Sequence, residues 1–173
     1  MSFFNLKKKP ILWGLLLCTL IFVGFSSAEE VFPKFSSRSS KGERVSNAIF
    51  ADAKLTMINV WATWCPPCVG EMPDLGLLGR SMPKGSQLVG IILDAGDSGA
   101  LEEAEEILTQ AKADFLQILP VEAMGPVLKK IDAIPTTIFV DSQGNIVGDP
   151  LVGSRSGGAY REEIEKRLEK TAR

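Results

Sequence analysis

The stretch Trp61-Ala62-Thr63-Trp64-Cys65-Pro66-Pro67-Cys68 decides the fold of this chain. It is preceded by Leu55 to Trp61, a continuous apolar run whose length and β-branched residues are typical of a buried central strand. We expect a helix to begin at the cysteines and to continue to about Gly79. A buried strand followed by a cysteine pair that opens a helix is typical of a redox-active dithiol.

The spacing of Cys65 and Cys68 places both sulfurs within one helical turn. A helix N-terminus offers free N–H groups and a positive partial charge, so it stabilises a thiolate at Cys65. Cys68 can then attack the mixed disulfide that Cys65 forms. Because Pro66 and Pro67 have no N–H, we expect the Cys65 thiolate to depend on the N–H groups of Cys68 and Val69.

Apolar runs and turn residues predict further strands and helices along the chain. They are a weak element at 45–50, strands at 87–93 and 115–119, helices at 101–113, 125–131 and 159–170, and a hairpin of 136–140 with 146–151 around Gly144. Asp97 or Ser98 is the expected N-cap of the helix at 101–113. Tyr160, Ile164 and Leu168 share one face of the last helix. The first strand, helix and second strand require a parallel pair of strands, whereas the hairpin requires an antiparallel pair. We therefore predict an α/β fold with a mixed sheet flanked by helices on both faces.

Composition excludes several classes of protein. The chain has no histidine, which removes Cys–His proteases, Ser–His–Asp hydrolases, histidine-bound metals and c-type haem attachment. Its net charge of -2 does not favour a nucleic-acid partner, which would select a basic face. A close cysteine pair closes almost no loop and adds little stability, so a chemical role explains it better than a structural one.

The N-terminus has the layout of a targeting segment. Lys7, Lys8 and Lys9 precede the apolar run 11–25, and small residues end at Ala28. We expect residues 1–28 to be a cleaved signal peptide or a retained membrane anchor, 29–43 a polar linker or edge segment, and 44–173 the folded domain. Either form places the domain outside the cytoplasm, in the periplasm or at the outer face of the membrane. The domain is then either secreted or anchored through its N-terminus. Cys18 lies within the apolar run and is expected to have no chemical role.

Three motifs in order resemble the TlpA/ResA branch of exported thioredoxin-fold thiol–disulfide oxidoreductases. They are Asn59 to Cys65, Cys68 with Glu71-Met72-Pro73, and Ile134-Pro135-Thr136-Thr137 before a strand. The resemblance covers about residues 35–172 and implies a thioredoxin-like fold with Cys65 as nucleophile and Cys68 as resolving thiol. It also implies that Pro135 is cis and lies beside the cysteines, with backbone near Ile134 free to pair with an extended substrate. An ordinary proline at the start of a strand is the alternative.

The substrate-binding residues predicted on this basis surround the cysteines. They are Trp64, Pro66, Pro67, Ile134 and Pro135. We expect Trp64 to lie on the rim of the site and Trp61 to pack in the core. Pro73 falls inside the predicted helix and is expected to kink it.

Glu71 is the candidate for proton transfer. Thioredoxins have a buried aspartate six residues before the first cysteine, and this chain has Asn59 there, which cannot take a proton. The resembling branch has a glutamate three residues after the second cysteine, which is Glu71. We hypothesise that Glu71 helps to move the proton of Cys68. The alternative is an acid on the helix surface.

The leading hypothesis is an enzyme that exchanges dithiols and disulfides with exported proteins, with apocytochromes c among the substrates that the resemblance implies. A membrane electron donor of the thiol-transfer type would recharge it, and we expect a monomer with no cofactor and no metal. The sequence leaves the direction of electron flow open. A binding module, such as a chaperone or a Cu(I) carrier using the two thiolates, is the alternative. A peroxidase is disfavoured because the Trp-Cys-Pro-Pro-Cys frame does not match one.

Overall fold

The computed structural model describes Met1 and residues 30–171. The targeting segment expected at 1–28 therefore lies, apart from Met1, outside the described residues. Among the residues described, no helix is both long and apolar enough to span a bilayer.

A five-stranded mixed sheet forms the centre of the fold. The strands are β1 Ser36–Arg38, β2 Arg44–Ser46, β3 Leu55–Trp61, β4 Ser86–Ile92, β5 Leu116–Ile118, β6 Thr136–Asp141 and β7 Leu151–Val152. The sheet order is β5-β4-β3-β6-β7, while β1 and β2 form a separate antiparallel pair. β4 runs parallel to β3 and to β5, whereas β6 is antiparallel to β3 and to β7.

Helices lie on both faces of this sheet, which confirms the predicted thioredoxin-like α/β architecture. They are α1 Pro66–Gly79, α2 Ala100–Gln110, α3 Gly125–Leu128 and α4 Gly157–Thr171, with single 3-10 segments at Asn47–Asp52 and Glu122–Met124. Residues of α1, α2 and α4 pack with Met57 and Trp61 on one face. Residues of β2, α3 and both 3-10 segments pack with Ile58 and Val60 on the other.

The central strand β3 has the bounds predicted from its apolar run, and all its residues are buried. It lies between β4 and β6, so both its edges are hydrogen-bonded and both its faces are covered. That explains the continuous apolar pattern in place of alternation. The strand ends at Trp61, only a short loop before Cys65, and this position brings the cysteine pair to one end of the sheet.

Residues 30–43 belong to the segment expected to be a polar linker or edge element. It contains β1, which pairs with β2, and its residues Phe32 and Phe35 are buried. Both rings make edge-to-face contacts with each other and with Phe50 of the first 3-10 segment. The serine-rich composition concealed these two aromatic anchors.

Two local expectations are wrong. Helix α2 begins at Ala100 after Gly99, whose φ of 82° is left-handed, and no side chain caps it, so neither Asp97 nor Ser98 is the N-cap. The hairpin's second strand is not continuous. Ile146 makes an isolated bridge to Val140, and pairing resumes only at β7. Between them lie Gly148, with φ of 68°, and Pro150, which has no N–H for a ladder.

Candidate active site

The cysteine motif forms the N-terminus of α1 as predicted. Cys65 is the N-cap residue, in an extended conformation, and prolines occupy the first positions of the helix. Prolines are tolerated there because the first turn's N–H groups have no partner within the helix. The N–H of Cys68 donates to Cys65 Sγ at 3.3 Å. In this disulfide form Val69 donates its N–H to the backbone oxygen of Cys65 rather than to the sulfur.

Cys65 and Cys68 are joined as a disulfide, with the two Sγ atoms 2.10 Å apart and the two Cα atoms 5.3 Å apart. The structure is therefore that of the oxidised form. Cys68 is fully buried, and Cys65 is 3% exposed. A partner thiol or disulfide consequently reaches Cys65 first, which suits the assignment of Cys65 as nucleophile and Cys68 as resolving thiol.

The loop before β6 lies against Cys65. The peptide bond between Ile134 and Pro135 is cis, and the carbonyl oxygen of Ile134 lies 3.6 Å from Cys65 Sγ. The hydrogen-bonded register of β3 with β6 brings Thr136 beside Val60, close to the end of the strand that leads into the cysteine motif. The long-range pairing of two central strands thus joins parts of the chain that are far apart in sequence.

An open cleft of about 450 Å³ borders the disulfide. Its lining residues are Trp64, Cys65, Pro66, Pro67, Leu93, Ile131, Asp132, Ala133 and Ile134. Four of the five residues predicted to bind substrate therefore lie together, whereas Pro135 is buried beneath the surface and does not line this cleft. Leu93 and the turn 131–133 were not among the predicted site residues.

The two tryptophans next to the motif differ as expected. Trp64 is 66% exposed and forms one wall of the cleft. Trp61 is fully buried, and its indole N–H donates to Gln117 Oε1 at 3.0 Å. Trp64 thus provides apolar surface beside the reactive sulfur, while Trp61 anchors the end of β3 in the core.

Asp94 holds the loop between β3 and the cysteines. The hydroxyl of Thr63 donates to Asp94 Oδ2 at 2.6 Å, and the backbone N–H of Thr63 donates to the same oxygen at 3.0 Å. Both residues are buried. The sequence reasoning missed Asp94, although an acid directly after a buried strand that ends beside the cysteine motif was the signal available.

The Glu71 carboxylate is buried in a network of hydrogen bonds. Its Oε1 accepts from Asn59 Nδ2 at 2.8 Å, and its Oε2 accepts from the Tyr160 hydroxyl at 2.9 Å and the Arg155 backbone N–H at 3.0 Å. Glu71 is only 4% exposed, so it is not an acid on the helix surface. Burial raises the pKa of Glu71 above its ordinary 4.5, against the opposing effect of these hydrogen bonds.

Glu71 follows Cys68 by three positions in α1, which places both side chains on the same helical face. An acid whose pKa is raised towards neutrality is suited to accept a proton and return it. Asn59 and Tyr160 were not predicted as partners of Glu71, because residue spacing does not reveal contacts between a strand and distant helices.

Within residues 30–171 and Met1, no group of three or more His, Cys, Asp or Glu side chains is placed to hold a metal ion. The site brings together two sulfurs at a helix N-terminus, a backbone carbonyl beside Cys65 and a buried carboxyl one turn away. This set can exchange two electrons with a disulfide by thiolate attack.

Comparison with known proteins finds a matching family model and several similar thiol–disulfide exchange proteins. The redoxin family model matches residues 27–166. ResA of Oceanobacillus iheyensis, a thiol-disulfide oxidoreductase, is 34% identical over 98 residues, which cover 55% of this chain and 48% of that protein. DsbE of Yersinia pestis, a thiol:disulfide interchange protein, is 28% identical over 131 residues, which cover 76% of this chain and 66% of that protein.

Solved structures agree on the fold. A thiol:disulfide interchange protein of the thioredoxin family from Chlorobium tepidum superposes with a TM-score of 0.67 at 24% identity, covering 81% of this chain and 97% of that one. The family model spans most of the chain, and the resemblance to ResA-like proteins drawn from the motifs is confirmed. The chain belongs to the redoxin family, and it is similar to thiol–disulfide oxidoreductases such as ResA and to interchange proteins such as DsbE.

Proposed function

We propose that this thiol–disulfide oxidoreductase works outside the cytoplasmic membrane and reduces disulfides of exported proteins, with Cys65 as nucleophile and Cys68 as resolving thiol. The observation that carries the proposal is the bridged pair at the N-terminus of α1, with Cys65 bordering an open cleft and Cys68 fully buried behind it. This asymmetry gives each sulfur a separate task.

In the reductive direction the Cys65 thiolate attacks one sulfur of the substrate disulfide. The substrate S–S bond breaks, a mixed disulfide forms on Cys65, and the released substrate thiolate takes a proton from solvent. Cys68 then loses its proton to Glu71 and attacks Cys65 Sγ, which breaks the mixed disulfide and releases the second substrate sulfur as a thiol. Two electrons pass to the substrate, and the protein is left as the disulfide seen in the structure.

A polypeptide fits this site better than a small disulfide. The cleft beside Cys65 is lined mostly by apolar residues, and Trp64 exposes 66% of its surface there. A second apolar cleft of about 290 Å³, bordered by Val152, adjoins the first through residues 131–133. An extended chain with its cysteine at Cys65 can therefore bury flanking apolar side chains in both clefts.

The location outside the cytoplasm rests on residues 1–28, which the structure does not describe beyond Met1. Lys7, Lys8, Lys9 and the apolar run 11–25 support export by a signal peptide or an anchor. In that compartment the protein needs a membrane donor of the thiol-transfer type to reduce its disulfide again. Exported proteins with cysteine pairs, including apocytochromes c, are the substrates we propose.

Reduction of insulin by the full chain, with dithiothreitol as electron source, tests the proposal. We expect turnover in the wild type and its loss in Cys65→Ser. Cys18→Ser is the matched control, since it removes a cysteine outside the site and should keep the wild-type rate. Turnover that survives in Cys65→Ser would refute the proposal, and a wild type without turnover would favour the binding module.

The direction of electron flow is tested separately, by equilibrating the Cys65–Cys68 pair with glutathione buffers and measuring its reduction potential. A potential more reducing than that of glutathione supports a reductase. A potential near the oxidising extreme of the fold would reverse the proposed direction while leaving the exchange activity itself in place.

A further inference from the structure

Tyr160 is the single tyrosine of the chain, and it lies fully buried in α4. Its hydroxyl donates to Glu71 Oε2 at 2.9 Å and accepts from the Thr137 hydroxyl at 3.3 Å. From the sequence it was expected only as an apolar-face residue of the last helix.

The hydrogen bonds of Glu71 are divided unequally between its two oxygens. Oε2 accepts from both Tyr160 and the backbone N–H of Arg155, whereas Oε1 accepts only from Asn59 among the described residues. Each carboxylate oxygen has two acceptor sites. Both sites on Oε2 are therefore occupied, and the free site for a proton is on Oε1.

We propose that Tyr160 is a positioning residue for the dithiol, whose hydroxyl holds the Glu71 carboxylate so that Oε1 receives the proton of Cys68. This inference rests on the proposed function and concerns its resolving step. The proton passes from Cys68 Sγ to Glu71 Oε1, the new thiolate forms the S–S bond with Cys65, and the bond from Cys65 to the substrate breaks. The departing substrate sulfur keeps the electron pair and takes a proton from solvent.

The groups that surround Glu71 allow the effect of Tyr160 to be isolated. Asn59 from β3 is neutral, as is Thr137 from β6, which reaches Glu71 only through Tyr160, and Cys68 lies on the same helix as Glu71. Within the described residues, the cation that acts on Glu71 is Arg155 from the loop before α4. Burial raises the pKa of the Tyr160 hydroxyl above its ordinary 10.0, so the hydroxyl keeps its proton at neutral pH and can donate it to Glu71. Removing this donor destabilises the charged carboxylate, so the pKa of Glu71 should rise further.

The test follows the resolving step in the reduced full chain carrying Cys18→Ser. Dithiobis(nitrobenzoate) releases one coloured thiolate when Cys65 attacks it and a second when Cys68 resolves the mixed disulfide. The second phase does not depend on reagent concentration, so stopped-flow absorbance gives its rate as a function of pH. We expect this rate to fall as Glu71 becomes protonated, and the midpoint to move up by about one pH unit in Tyr160→Phe.

Thr56→Val is the matched control. It also deletes a buried hydroxyl, one that accepts from Gln87 at the opposite end of the sheet, and its midpoint should equal that of the wild type. An unshifted midpoint in folded Tyr160→Phe would overturn the positioning role alone. A wild type that lacks both phases would overturn the proposed function instead.

Carbon-13 NMR of the ring carbon that bears the hydroxyl provides a second readout that needs no variant of Tyr160. With one tyrosine, the spectrum has one such resonance. We expect its shift to titrate with the kinetic midpoint of the wild type, and the titration to vanish in Glu71→Gln. A resonance that ignores the ionisation of Glu71 would overturn the proposal even if Tyr160→Phe fails to fold.

Discussion

Replacing Asp94 by alanine should uncouple the cysteine loop from β4 without unfolding the protein. The carboxylate accepts the hydroxyl of Thr63 at 2.6 Å and its backbone N–H at 3.0 Å, and both residues are buried. An unpaired buried donor costs about 1 to 3 kcal/mol. The N–H cannot turn away, while the hydroxyl can rotate, so we expect Asp94→Ala to lower the free energy of unfolding by about 2 to 4 kcal/mol.

The functional cost should exceed what this loss of stability explains. Thr63 lies two residues before Cys65, so a relaxed loop lets the sulfur move away from its place beside the Ile134 carbonyl. Misplacing a reacting group by about 1 Å can cost roughly 100-fold in rate. We expect kcat/KM for insulin reduction to fall at least about tenfold in Asp94→Ala, under conditions where urea titration shows the variant to be fully folded.

Asp141→Ala is the matched control for this prediction. Asp141 also accepts backbone N–H groups, from Gln143 at 2.8 Å and Asn145 at 2.9 Å, but it pairs with Leu55 at the far end of β3. By the rise of a strand that end is roughly 20 Å from the cysteines. Asp141→Ala should lose stability and keep its rate. If Asp94→Ala also keeps the wild-type rate, the loop is not what positions Cys65.

Two further outcomes follow from the packing and charge of the site. A Cβ on Gly90 would lie 1.9 Å from Gln117 Oε1, so Gly90→Ala should break the hydrogen bond that the Trp61 indole N–H donates to this oxygen. We expect the free energy of unfolding in urea to fall by about 2 to 4 kcal/mol. The double variant with Gln117→Ala should recover part of this loss, because the clash is removed. Burial raises the pKa of Glu71, so the folded state binds a proton more tightly than the unfolded one, and stability should fall as pH rises from about 4.5 through the raised value. Glu71→Gln should lack this fall in thermal unfolding, and an unchanged slope would show that Glu71 is not its source.

Much of the fold follows from local sequence, because a strand with both faces covered needs apolar residues throughout. β3 has the bounds expected from Leu55 to Trp61, and α1 ends at Gly79 as predicted. The predicted N-cap of α2 was wrong because the residue before that helix is Gly99 in a left-handed conformation. The polar residues nearby in sequence do not reveal that conformation.

The site was predictable to the extent that its groups are consecutive in sequence. Cys65, Cys68 and the prolines between them come from one motif, whereas Asp94, Arg155 and Tyr160 reach the site only through tertiary packing. Hydrophobic periodicity marked Tyr160 as buried but could not identify the partner of its hydroxyl. The two buried phenylalanines of 29–43 were missed for a related reason, since a serine-rich segment does not show which of its apolar residues pack in the core.

The sheet's β5 edge is closed by the N-terminal hairpin. Ser40 donates its N–H to the Gln117 carbonyl, Leu119 donates to the Arg38 carbonyl, and Ser39 bridges Ile118. An uncovered edge strand recruits strands of other chains and promotes aggregation. The strand at the opposite edge of the sheet, β7, has only two residues. They pair with Thr136 and Thr137, which directly follow Pro135. Within the described residues, the edge of this sheet that is left for intermolecular strand pairing is therefore a short stretch at the end of β6 that follows the cis proline.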